Sequence, residues 1–175
     1  AITCVQEVRA GRGTSLVVVV TAPLVHLVEQ WAEEFERLLD VKVVRCHTSH
    51  AEWMPTATTM VNLVRSGSRP LAILEATHET ASIPDFVGLL APVRSESLMV
   101  IADESHHLDR TRTELMPQQA GMRLGLTATP RGDLDTDDEV QEYLGDVVAE
   151  YPLAKAIADG VLCPYEYHPM PVRLT

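Results

Sequence analysis

An α/β fold built on a parallel sheet is the class this sequence predicts, on three observations. Leu16-Val17-Val18-Val19-Val20, Leu71-Ala72-Ile73-Leu74 and Leu98-Met99-Val100-Ile101-Ala102 are unbroken apolar runs, the pattern of strands covered on both faces. Segments with apolar residues at helical spacing alternate with them, as parallel strands require. Finally, Asp103 and Glu104 directly follow one run, and open α/β sheets bind ligands just beyond the carboxyl ends of their strands.

The totals narrow the classes. The chain has 175 residues, 46% apolar and 22% charged, enough for one globular domain with a real core. A formal net charge of −11 repels nucleic acid at long range, so any such contact must be local, which counts against a simple basic-patch binder. The longest apolar run, Leu16 to Val20, is far short of the roughly 20 residues that cross a bilayer, and no membrane partner is expected. No secretory signal is visible, although the first residue is not Met. Cys4, Cys46 and Cys163 are odd in number and form no C-x-x-C pair, which favours reduced thiols in a cytoplasmic setting.

Taken in order, Ala1 to Ala10 carries Ile2, Val5 and Val8 at helical spacing, and Gly11 to Ser15 reads as a turn. The latter lacks the lysine of a phosphate loop and precedes a strand. After the strand Leu16–Val20, Pro23 suits a first helical position. The stripe Leu27, Val28, Trp31, Phe35, Leu38, Leu39 predicts a helix whose N-terminal amides face the sheet's carboxyl edge, where an anion can bind. Val41–Val44 is a strand, and Cys46 to His50 a polar loop without standard metal-ligand spacing. A helix over Thr59–Val64, the strand Leu71–Leu74, a helix over Phe86–Leu90 and the strand Leu98–Ala102 follow. His106 to Asp109 opens a loop or short helix, Met122–Leu126 is the last strand, and Pro130 stops it. The acidic residues Asp133 to Glu139 read as a solvated charge run, without the glycine and glutamate of a calcium loop. Leu153–Ala158 is a short helix closed by Gly160. Pro164, Pro169 and Pro171 mark an extended tail.

A strand ending in Asp-Glu suits phosphoryl transfer, since the Asp can hold Mg²⁺ and the Glu can deprotonate an attacking water. With its neighbours, this strand end resembles motif II of the superfamily-two helicases, in the D-E-x-H form Asp103-Glu104-Ser105-His106. The branch resembled is that of DEAD/DEAH-type helicases and type III restriction-enzyme motor subunits. Thr21-Ala22-Pro23 with Leu27 to Trp31 is similar to motif Ia, Glu75-Ala76-Thr77 falls where motif Ib stands, and Leu126-Thr127-Ala128-Thr129-Pro130 fits motif III. Ala156 to Leu162 with Pro164-Tyr165 resembles the stretch leading out of such a domain. The resemblance covers nearly the whole chain.

It implies a RecA-like first motor domain of P-loop NTPase fold, with a parallel sheet and helices on both faces. By position, Asp103 would hold the Mg²⁺ of ATP and Glu104 would activate the hydrolytic water. His106 would sense the nucleotide, and Thr127 and Thr129 would couple it to nucleic acid. Thr21, Pro23, Leu24 and Thr77 would touch the nucleic-acid backbone, largely through main-chain amides. ATP and Mg²⁺ are the implied cofactors. The implied partners are nucleic acid, DNA ahead of RNA, and a second RecA-like domain in the same parent chain. The G-x-x-x-x-G-K-[ST] loop is absent from the 175 residues. The expectation is therefore a domain at 1–162 lacking its first strand and phosphate loop, then a linker at 163–175, inactive as an isolated fragment. Two other readings stand beside it: a noncatalytic interaction domain, and a metal-dependent hydrolase using Asp103, His106 and Asp109.

Overall fold

The computed structural model describes residues 1–13, 15–128, 137–166 and 168. The chain divides into two units, Ala1–Gly145 and Asp146–Thr175. In the first, α1 (Ile2–Arg12), β1 (Leu16–Ala22), α2 (Val25–Leu39), β2 (Val43–Cys46), α3 (His50–Arg65) and β3 (Leu71–Thr77) are followed by α4 (His78–Ala81) and α5 (Pro84–Leu90). Then come β4 (Leu98–Ala102), α6 (Arg110–Leu115), β5 (Met122–Gly125) and α7 (Asp137–Leu144). The second unit contains α8 (Leu153–Ala158).

Every strand pairing among the described residues is parallel, in the order β2-β3-β1-β4-β5. β1 is central and buried along its whole length, which is why its sequence shows no alternation. Residues of one parity, such as Val18, Ile73 and Ile101, meet Val5 of α1 and Ala32 and Phe35 of α2. The other parity, including Val19, Leu74 and Val100, meets Trp53, Ala57, Val61 and Val64 of α3 and Phe86 and Leu90 of α5. α1 ends where Gly13 takes a left-handed conformation, φ 60°, which glycine adopts without steric cost.

Several boundaries differ from the sequence reading. α3 begins at His50, well before Thr59, and carries Pro55 inside it. The buried stripe Trp53-Ala57-Val61-Val64 holds that helix against the sheet despite the missing amide. β2 runs Val43–Cys46, past Arg45, because that side chain has ion partners on α2. β3 continues through Glu75 to Thr77. Asp137–Leu144, read as part of a solvated acidic run, is helix α7, whose Tyr143 is buried in the core. Asp133 and Asp135 lie outside the described residues.

The strand order reverses between β1 and β4: the connection from β1 leads to β2 and β3, that from β4 leads to β5. Such a switch point leaves a crevice at the carboxyl ends.

Candidate functional site

The rim of the sheet brings the sequence motifs together in strand order. Thr77 ends β3 and pairs in register with Ala22 of β1. Pro23 and Leu24 follow β1 directly, with Leu24 53% exposed. Asp103, Glu104 and His106 follow β4, the neighbour on the other side of β1, and Thr127 follows β5.

Asp103 is fixed twice. Its backbone N–H donates to the Thr21 carbonyl at 2.7 Å, and its Oδ2 accepts from the Trp31 indole Nε1–H at 2.7 Å. It lines an open cleft of about 420 Å³ together with Ala1 to Thr3 at the start of α1 and Leu27, Gln30, Trp31 and Glu34 of α2. Ile2 and Thr3 bring the first turn of α1 to the wall of the same cleft.

Glu104 has φ 49°, in the left-handed region, a strained position for a side-chain-bearing residue that recurs at functional sites. Ser105, buried beneath it, donates its N–H to the Leu126 carbonyl at 2.9 Å. This bond ties the β4 turn to the end of β5. His106 Nδ1 lies 2.9 Å from Thr127 Oγ1 and 3.3 Å from a Glu104 carboxylate oxygen. The two motif segments thus meet through side chains. Thr129 lies outside the described residues.

Two residues predicted to contact nucleic acid have side-chain partners within the fold. The Thr21 side chain is fully buried, its Oγ1 3.0 Å from His78 Nδ1. Thr77 Oγ1 accepts the Thr80 N–H at 3.1 Å and caps α4. Asp109, considered as a metal ligand with Asp103 and His106, instead caps α6 through the Arg112 N–H at 2.8 Å and pairs with the Arg112 guanidinium. Among the described residues no group of three His, Cys, Asp or Glu side chains is arranged to hold a metal ion. His47 meets Glu29, His50 meets Asp85, and Cys46 is buried with its thiol pushed up to about 12 by desolvation.

Sequence reasoning missed three groups. Trp31, read only as part of an apolar helical stripe, donates to Asp103. His78 is buried, and desolvation lowers its pKa to about 4, so it stays neutral behind the site. Glu75 is wholly buried, both carboxylate oxygens lack hydrogen-bond partners, and burial raises its pKa to about 9, with Arg45 opposing. On that face of the sheet, Arg45 grips Glu36 through two bonds of 3.0 Å and Glu29 through one of 2.8 Å. These bonds hold both carboxyls below their usual range.

A five-stranded parallel sheet with an Asp-Glu-x-His turn at its switch point defines a RecA-like domain of superfamily-two helicase type. The chain belongs to the family described as type III restriction enzyme, res subunit, whose model matches residues 2–132. Among solved structures, the helicase domain of Pyrococcus furiosus Hef is similar over 82% of this chain and 29% of its own, at 21% identity and TM-score 0.55. A nuclease-deletion mutant of the Type ISP restriction-modification enzyme LlaGI, in complex with a DNA substrate mimic, is similar over 91% of this chain and 17% of its own, at 13% identity and TM-score 0.64. The chain thus spans less than a third of either structure. No curated protein matches it significantly.

Proposed function

We propose that this chain is part of an ATP-dependent nucleic-acid motor, a helicase or translocase acting on DNA ahead of RNA. The observation that carries the reading is the place of Asp103, which follows β4 at the sheet's switch point and lines a cleft of about 420 Å³. A carboxylate so placed suits the Mg²⁺ of a bound nucleoside triphosphate. Bound Mg²⁺ would neutralise charge on the phosphates. Asp103 would hold it, Glu104 would take the proton of the attacking water, and the His106–Thr127 contact would relay nucleotide state to the rim. Pro23, Leu24 and the main chain at Thr77 stand on that rim beside one another, which supports a backbone contact made locally by an otherwise acidic domain.

The reading needs a phosphate-binding loop. We place it before Ala1, with its strand along the outer edge of β5, whose four residues are all half-exposed. It also needs a second motor domain beyond a linker at 163–175, and domain boundaries at 1–162. No helix among the described residues is long and apolar enough to cross a membrane, and all three cysteines are free. The free thiols support a cytoplasmic setting. The test is ATP hydrolysis by the full-length protein with and without single-stranded DNA, duplex DNA and RNA. DNA-stimulated hydrolysis that Asp103→Ala removes is the expected result. Absence of any hydrolysis and of nucleotide binding would leave a noncatalytic interaction domain instead.

A further inference from the structure

We propose that Trp31 is a positioning residue for Asp103: its indole N–H holds one carboxylate oxygen so that the other is presented to the cleft. This deepens the proposed function and rests on the reading that the cleft takes a magnesium-bound nucleotide.

The contact joins residues 72 positions apart at 2.7 Å. A hydrogen bond to an ionised carboxylate is about twice as strong as a neutral one. An indole N–H can only donate, so it cannot ligate a cation or accept a proton. What it can do is fix the torsion of the carboxylate and occupy Oδ2, leaving Oδ1 for an ion. Groups that orient a metal ligand in this way matter nearly as much as the ligand.

The indole is itself well placed to do so. Trp31 lines the cleft, and its ring lies 5.9 Å from that of Phe35, which is wholly buried. The far side of α2 is tied to β2 by Arg45 through Glu29 and Glu36. The Asp103 main chain is held by Thr21. Both partners are therefore anchored independently of the bond between them. Packing alone does not call for the donor, because a phenylalanine would also set an aromatic ring against Phe35. Trp53, by contrast, is only 4% exposed and packs its ring against Phe86 in the core.

The experiment uses ¹⁵N-labelled full-length protein and two readouts. The indole signal that vanishes in Trp31→Phe is that of Trp31. It is expected to exchange slowly with solvent in the wild type, and to shift and exchange faster in Asp103→Ala. In parallel, binding of a fluorescent ATP analogue is titrated with MgCl₂. Trp31→Phe is expected to raise the half-saturating Mg²⁺ concentration about tenfold, well beyond any change it makes to binding in EDTA, whereas Asp103→Ala removes the Mg²⁺ dependence. A wild-type midpoint in Trp31→Phe, or equal weakening with and without Mg²⁺, overturns the positioning role. An indole signal indifferent to Asp103→Ala overturns it even if Trp31→Phe fails to fold. If Asp103→Ala keeps the wild-type Mg²⁺ dependence, the nucleotide reading itself fails.

Discussion

The two edges of the sheet are finished differently. At one, β2 is buried except for Arg45, and that side chain bridges to two glutamates of α2 while Glu75 lies buried on the same face of the neighbouring strand. At the other, β5 is half-exposed throughout and leads into Thr127, which meets His106. The first edge concentrates charge where it braces the fold. The second keeps polar side chains at the rim, where a ligand or another strand can reach them. Substitutions at the β2 edge should therefore act on stability, and those at the β5 side on function.

The largest stability effect is expected at Glu75. Its folded pKa of about 9 exceeds the ordinary 4.5. The folded state thus keeps a proton that the unfolded chain has lost between those values. Stability from this group is complete below pH 4.5 and falls as pH rises towards 9, by about 1.4 kcal/mol per unit. Glu75→Gln cannot ionise, so its urea unfolding free energy should be much flatter between pH 5 and 8.5, the two curves diverging by about 3 kcal/mol from pH 5 to 7. Arg45→Met comes next. Removing the guanidinium leaves Glu29 and Glu36 facing each other, and a part-exposed cluster of this kind should cost about 2 kcal/mol at pH 7 by denaturant titration. Asp109→Ala, which uncaps α6, should cost about 1 kcal/mol, without change in bound metal by elemental analysis. Smallest in stability is His106→Ala, expected within about 0.5 kcal/mol of wild type. Under the proposed function it should nevertheless reduce nucleic-acid stimulation of ATP hydrolysis by about 5- to 150-fold, the usual span of coupling between sites.

How legible each part was follows from the same contrast. The inner strands announce themselves, since Leu16–Val20 and Leu98–Ala102 have both faces covered and so read as plain apolar runs. β2 slips by two residues in a sequence reading because Arg45 looks like a strand end until its partners on α2 are known. Glu75 looks like one too, and only its burial shows that β3 runs through it. Pro55 hides the first turns of α3, and a dense acidic stretch hides α7. Only the family resemblance links His106 with Thr127, and their side chains lie 2.9 Å apart. Nothing in the spacing pairs Trp31 with Asp103, because Trp31 sits on an amphipathic stripe that core packing already explains.

Under the proposed function, Glu104 and Asp103 face a nucleotide at the sheet's switch point. The most direct test is the rate of nucleic-acid-stimulated ATP hydrolysis by full-length Glu104→Gln, measured beside its affinity for ATP. The predicted result is a rate lowered by about 10²- to 10⁴-fold with affinity retained; hydrolysis at the wild-type rate would contradict it.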